Sequence, residues 1–222
     1  MGPVVNATVS RTRVKICGIT RLQDLQAAVA AGADALGFVF TPRSRRFLES
    51  AAAAKLVAEV PAFVSRVGLF MDQGREEVER VLERVPLSLL QFHGREDAAF
   101  CRRFGLPYMK AFGMASAEAP DCASGRELAE AAREYADAAA LLLDSHGVGE
   151  AGGTGRPFDW SAVPRMSRPL VLAGGLTPGN VREAVRAVRP WAVDVSSGVE
   201  DAPGVKCAQK MQAFIREAKS EY

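Results

Sequence analysis

What the chain has little of narrows its identity first. Four cysteines stand in 222 residues, Cys17, Cys101, Cys122 and Cys207. None forms a CxxC pair, and the histidines number two, His93 and His146. That scarcity argues against a zinc cluster and against a secreted disulfide framework, and no metal site is expected. A reducing cytoplasm is the expected compartment. No apolar stretch approaches the roughly 20 residues that a helix needs to cross a bilayer, so a membrane role is not expected. The net charge is +2, with no basic stripe interleaved with aromatics. Nucleic acid is therefore not an expected partner. The segment 1–12 is mixed and polar and lacks the apolar run of a signal peptide. It reads as a flexible N-terminal extension ahead of one domain spanning 13–222. No linker or low-complexity block divides the rest.

What is present is a rhythm. Hydrophobic residues make up 48% and charged residues 24%, ordinary for a globular chain with a sizeable core. Short β-rich runs at 14–17, 35–40, 66–70, 87–92, 108–111, 140–143, 170–173 and 192–195 alternate with longer amphipathic stretches. Those stretches fall at 22–31, 51–59, 75–84, 96–104, 126–135, near Trp160, at 178–188 and at 205–218. Strands separated by helical crossovers run parallel. Eight such units with no second domain predict closure into a single-domain (β/α)8 barrel of α/β class, near the lower size limit of that fold. Several runs are continuously apolar, as strands covered on both faces must be.

Side chains alternate across a strand. If Ile16 faces the helices, Lys15 and Cys17 face the barrel interior. The same parity groups Gln91 with His93, Leu142 with Asp144, and Asp194 with Ser196. These polar groups sit at the C-terminal ends of the first, fourth, sixth and eighth runs, where barrels of this kind carry their active sites. Glycine then clusters in the late loops, as Gly152-Gly153-Thr154-Gly155, Gly174-Gly175 and Ser196-Ser197-Gly198. Glycine lets backbone N–H groups approach an anion, and the last two βα loops are the usual phosphate site.

With those residues in view, the chain resembles the phosphoribosylanthranilate isomerase family of the tryptophan pathway. The run Val14-Lys15-Ile16-Cys17-Gly18-Ile19-Thr20 matches the family's first-strand signature. Further blocks follow in order: Ala33 to Phe40, Ser44-Arg45-Arg46, Leu90-Gln91-Phe92-His93-Gly94, Leu142-Leu143-Asp144-Ser145, the glycine runs with Phe158-Asp159-Trp160, and Val193-Asp194-Val195-Ser196-Ser197-Gly198-Val199-Glu200. The resemblance covers roughly 14–218. It implies an Amadori rearrangement of a small-molecule phosphoribosyl substrate with no cofactor. Cys17 would be the general base and Asp144 the general acid. Arg46 would hold the anthranilate carboxylate, for which a guanidinium fork is suited. Gly153, Thr154, Gly174, Gly175, Ser196 and Gly198 would hold the phosphate. Asp194 is expected to orient a loop near the substrate instead of touching phosphate, since like charges repel. Lys15, Gln91 and His93 would support the site, Lys15 by favouring the thiolate of Cys17. Burial would raise the carboxyl of Asp144 towards neutrality.

The remaining motifs read blandly. Cys101, Cys122 and Cys207 are expected to be inert, and His146 a solvated loop residue. Lys15 and Lys110 would be interior charges paired with carboxylates, and Trp160 a packing anchor. The charge runs at 75–84 and 182–189 read as solvated helix faces. Two alternatives stand beside the isomerase. One is another aminoaldose isomerase on this fold, which would carry Asp at the first strand. The other is a silent barrel that binds phosphorylated metabolites, in which the acid–base pair would have decayed. Both a monomer and a homodimer are compatible with the sequence.

Overall fold

The computed structural model describes residues 11–114, 125–145 and 168–220, together with Trp160, Val163 and Met166. Most of the segment read as an extension thus lies outside the described residues, as do Cys122, His146 and the stretch that holds Gly153 and Thr154.

Eight strands close a parallel barrel in sequence order: β1 (Arg13–Cys17), β2 (Ala35–Val39), β3 (Ser65–Phe70), β4 (Leu89–Phe92), β5 (Tyr108–Gly113), β6 (Ala140–Asp144), β7 (Leu170–Leu172) and β8 (Ala192–Val195). Between and after them run α1 (Leu22–Ala30), α2 (Ser50–Ala58), α3 (Arg75–Leu82), α4 (Ala98–Arg102), α5 (Gly125–Glu134), α6 (Val181–Val188) and α7 (Ala208–Lys219). Each helix follows from local chemistry. Gly32 at φ 90° ends α1 in the left-handed conformation that suits glycine. Asp97 caps α4 by accepting from the Phe100 N–H at 2.6 Å. In α6, Val181, Ala184 and Val185 are buried at helical spacing.

Strand parity divides the molecule into two apolar layers. Ile16, Leu36, Phe38, Leu90, Phe92, Leu141, Leu143, Leu172 and Val193 point outward and pack beneath the helices. Val67, Met109, Ala111, Ala140, Leu142, Val171, Ala173 and Ala192 fill the barrel itself, so it is a packed core and not a pore. Within that inner layer, Lys15 stands in register with Asp194 and donates to its Oδ2 at 2.9 Å. Lys110 also pairs, with Glu96 at 2.9 Å, but from the opposite face of its strand. Its neighbours Tyr108 and Phe112 lie in the outer layer, so this charge is buried between barrel and helices and not inside the barrel.

One element departs from the sequence reading. Residues 205–207 do not open the last helix. Strands β9 (Glu200–Ala202) and β10 (Val205–Lys206) form a small antiparallel hairpin before α7. Its turn is Pro203-Gly204, with Gly204 at φ 79°. The dipeptide is a strong turn signal, outweighed in the sequence reading by the helical pattern that follows it.

Candidate active site

The C-terminal mouth of the barrel opens into a cavity of about 630 Å³, whose wall includes Cys17, Arg46, Gln91, His93, Asp144, Gly174, Gly175, Asp194, Ser196, Gly198 and Glu200. Residues nominated from the sequence on β1, β4, β6 and β8 thus converge on one space. They do so because each lies at or just beyond the last inward-facing position of its strand.

Cys17 ends β1, and its thiol is buried. It fits there because Gly37 on β2 stands alongside: a Cβ at Gly37 would lie 2.8 Å from Sγ of Cys17 and 3.1 Å from Cε of Lys15. Gly37 escaped the sequence reading as a site residue, since one glycine in a strand carries no signal beyond its small size. Burial pushes the Cys17 thiol above the ordinary thiol value, and Asp194 adds to that rise. The nearby ammonium groups of Lys15 and Lys206 pull the other way without reversing it. Lys15 was expected to favour the thiolate. It does, but desolvation outweighs it. Burial would also discharge Lys15, yet the attraction of Asp194 and Cys17 holds its ammonium above the usual lysine value. The carboxylate of Asp194 therefore braces Lys15 inside the barrel, where a loop-orienting role had been expected. Its other oxygen, Oδ1, is buried with no partner among the described residues.

Asp144 ends β6 and remains partly open to the cavity, its side chain 14% exposed. His93 faces it, Nε2 lying 3.6 Å from Oδ2. That distance is an electrostatic contact and too long for a hydrogen bond. Burial lowers the pKa of His93 despite the opposing pull of Asp144, so the ring is neutral near pH 7. The Gln91 amide lies 3.0 Å from Nδ1. With the amide nitrogen as donor, Nδ1 accepts and the ring proton is assigned to Nε2, facing Asp144.

The glycine loops stack on one another. Gly174 and Gly175 have φ of 80° and 62°. A Cβ on Gly174 would overlap Ser145, and one on Gly198 would overlap the Leu176 carbonyl. The backbones after β6, β7 and β8 are thereby in direct contact. Asn180 fixes the middle loop, accepting from the Thr177 N–H at 2.8 Å and donating to the Gly175 carbonyl at 2.9 Å. Ser196 donates to the Cys17 carbonyl at 3.1 Å.

On the far wall, Arg46 reaches over the chain after β1. Its Nε and Nη2 each donate to Glu200 at 2.7 Å. Lys206, in β10, donates to Glu200 at 2.7 Å and to the Ser196 carbonyl at 3.0 Å. The sequence singled out neither Glu200 nor Lys206 for a role. A charge between the last barrel strand and the last helix reads as surface until the hairpin folds it inward. Of the other cysteines among the described residues, Cys101 is buried in α4 with its pKa pushed up to about 12 by desolvation, and Cys207 is a free thiol ahead of α7.

A closed parallel barrel with a thiol, a carboxyl, a neutral imidazole and an arginine around one concave mouth defines a class, the (β/α)8-barrel enzymes that work by proton transfer on a small polar molecule. The family model described as N-(5'-phosphoribosyl)anthranilate (PRA) isomerase matches residues 14–217, and the chain belongs to that family. The N-(5'-phosphoribosyl)anthranilate isomerase of Bordetella parapertussis is 54% identical over 215 residues, 95% of this chain and 97% of the relative. Among solved structures, the phosphoribosyl anthranilate isomerase of Thermotoga maritima superposes with a TM-score of 0.82 at 41% identity, covering 93% of this chain and 98% of that one. A second isomerase structure holds reduced 1-(o-carboxyphenylamino)-1-deoxyribulose 5-phosphate. It matches at TM-score 0.76 and 39% identity over 93% of this chain and 98% of that one.

Proposed function

We propose that this protein converts N-(5'-phosphoribosyl)anthranilate into 1-(2-carboxyphenylamino)-1-deoxyribulose 5-phosphate, a step of L-tryptophan biosynthesis, by general acid–base catalysis within the unit 13–222. The observation that carries the reading is that Cys17 and Asp144, at the ends of β1 and β6, line the same cavity with Arg46 and the glycine loops. Asp144 protonates the furanose ring oxygen, the C1'–O bond breaks, and a Schiff base forms. That electron-poor carbon acidifies the proton on C2'. Cys17 removes it, and the resulting enolamine tautomerises to the ketone. A thiol whose pKa is raised by burial is less often ionised, but it is a stronger base when it is. Arg46 binds the anthranilate carboxylate, and Gly174, Gly175, Ser196 and Gly198, with Gly153 and Thr154, bind the phosphate. Gln91 supports His93, His93 supports Asp144, and Lys15 supports Cys17.

Each of these residues comes from a single chain, so a monomer and a homodimer serve the reading equally. Cys17, Cys101 and Cys207 are free thiols, which supports a cytoplasmic setting. The test is the loss of substrate fluorescence when phosphoribosylanthranilate is generated in situ. Wild type should consume it, and Cys17→Ala should be slower by about 10²–10⁴-fold, the usual contribution of a positioned base. Near-normal turnover by a folded Cys17→Ala would remove the base assignment.

A further inference from the structure

We propose that Glu200 is a positioning residue that sets Arg46 for the aryl carboxylate of the substrate, and that Lys206 restores the charge which Glu200 would otherwise cancel. The inference rests on the isomerase reading above and extends it to the β9–β10 hairpin.

Three observations lead there. Both oxygens of Glu200 are engaged: Oε2 accepts from Arg46 Nη2, and Oε1 from Arg46 Nε and Lys206 Nζ, each at 2.7 Å. A carboxylate so occupied is a clamp and not a proton carrier. Second, the clamp takes only the Nε/Nη2 edge of the guanidinium. Nη1 has no hydrogen-bond partner among the described residues, so the Nη1/Nη2 edge remains for a second carboxylate in the parallel two-bond geometry that arginine favours. Third, the arginine is pinned along its length. Its stem crosses Gly18, where a Cβ would overlap Cδ of Arg46. Its side chain is 13% exposed against 6% for Glu200. The rotamer freedom that a loop arginine would surrender on binding is already gone.

Charge explains the lysine. Arg46 and Glu200 alone would sum to zero, and a neutral pair is a poor anchor for an anion. Lys206 has a fully buried side chain, and it meets three acceptors: Glu200 Oε1, the Ser196 carbonyl at 3.0 Å and Ser196 Oγ at 3.4 Å. Three acceptors match the three donors of an ammonium. Burial draws the pKa of Lys206 below the usual lysine value against the pull of Glu200. With its ammonium charged, two cations and one anion sum to one positive charge, which Arg46 presents at the cavity wall. Ser196 in turn holds the Cys17 carbonyl, so the hairpin sets the carboxylate anchor and the base in one frame. A hairpin that served only stability would need neither the bidentate pairing to a cavity residue nor the compensating cation.

The experiment is steady-state kinetics of the full chain on phosphoribosylanthranilate with wild type, Glu200→Gln, Arg46→Ala and the double variant. Glu200→Gln should raise KM about tenfold with kcat within about twofold, the pattern of lost uniform binding. In the Arg46→Ala background it should add less than about twofold, because residues acting as one unit are not additive. Losses that multiply in the double variant, or a fall in kcat at unchanged KM, would overturn the inference. Glu200→Asp keeps the charge and withdraws it by one methylene, which guards against a glutamine variant that fails to fold. It should raise KM by a smaller factor, and a wild-type KM there would overturn the inference equally. Wild-type protein that does not consume phosphoribosylanthranilate would instead defeat the isomerase reading, and this inference with it.

Discussion

At the scale of single residues, the site depends on environments more than on identities. Cys17 and Cys101 are both buried thiols raised by desolvation. Cys17 alone opens onto the cavity and has Lys15 beside it. Asp144 and Asp194 likewise share a residue type and a mouth. Asp194 is committed to a lysine at 2.9 Å, while Asp144 faces a neutral imidazole and the cavity. With Asp194 engaged by Lys15, Asp144 is the carboxyl proposed as the acid. Asp144→Asn should lower kcat by about 10²–10⁴-fold and convert a bell-shaped pH–rate profile into a single rise governed by the thiol. A bell that survives the substitution would assign the acid elsewhere. The placement of Cys17 and Asp144 at the barrel mouth was legible in the sequence because strand parity and strand ends are local properties, while their roles as base and acid were implied by the family resemblance. The pairing of Lys15 with Asp194 was not, for it joins residues 179 positions apart.

At the scale of elements, the late loops and the hairpin decide how well the mouth is formed. Gly198 has no room for a side chain, because its Cβ would meet the carbonyl of Leu176, which is backbone and cannot swing aside. Gly198→Ala should therefore destabilise the fold by about 1–3 kcal/mol, the usual range for overpacking, and raise KM by disturbing the proposed phosphate loops. Gly179→Ala is the control, since the nearest atom to its Cβ would be 3.7 Å away. Thermal unfolding and KM measured on both would settle it: equal behaviour would mean that the loop contact carries neither effect. Glycine in these loops was visible in the sequence as a phosphate signal. Which glycine faces backbone and which faces space was not, since that depends on two loops meeting. The hairpin was missed for a related reason. Its strands are two and three residues long, too short for alternation to register before α7 begins.

At the scale of the whole molecule, the barrel is sealed by carboxylates that tie distant segments. Asp34 accepts from Arg11 and from the Val14 N–H at 2.9 Å, and meets Lys219 of α7 at 3.3 Å. Burial pushes its pKa up, but these partners more than offset that and hold it below the ordinary aspartate value. Glu200 is held low in the same way by Arg46 and Lys206. A carboxylate with a depressed folded pKa contributes stability above its unfolded value, about 3.9 for Asp and 4.3 for Glu, and loses it as pH falls through the folded value. These carboxylates should make the melting temperature drop below about pH 4, after a shallower decline that begins at about pH 6.5, where the unfolded state takes up the proton that buried His93 resists. Asp34→Asn should lower it at neutral pH and flatten the acid decline. An unchanged acid slope in that variant would show that Asp34 does not contribute to it.

By itself the sequence determined the eight-fold alternation, the inward parity of Cys17, Gln91, Asp144 and Asp194, and the glycine-rich late loops. These follow from periods of two and 3.6 residues and from backbone freedom, which neighbouring residues dictate. Only the tertiary structure decided that burial outweighs Lys15 at the thiol, that Lys110 is buried outside the barrel, and that a terminal hairpin clamps Arg46. Those outcomes depend on which charges meet across a closed sheet and on how much water is excluded there. Barrel closure sets both at once, between residues that are far apart along the chain.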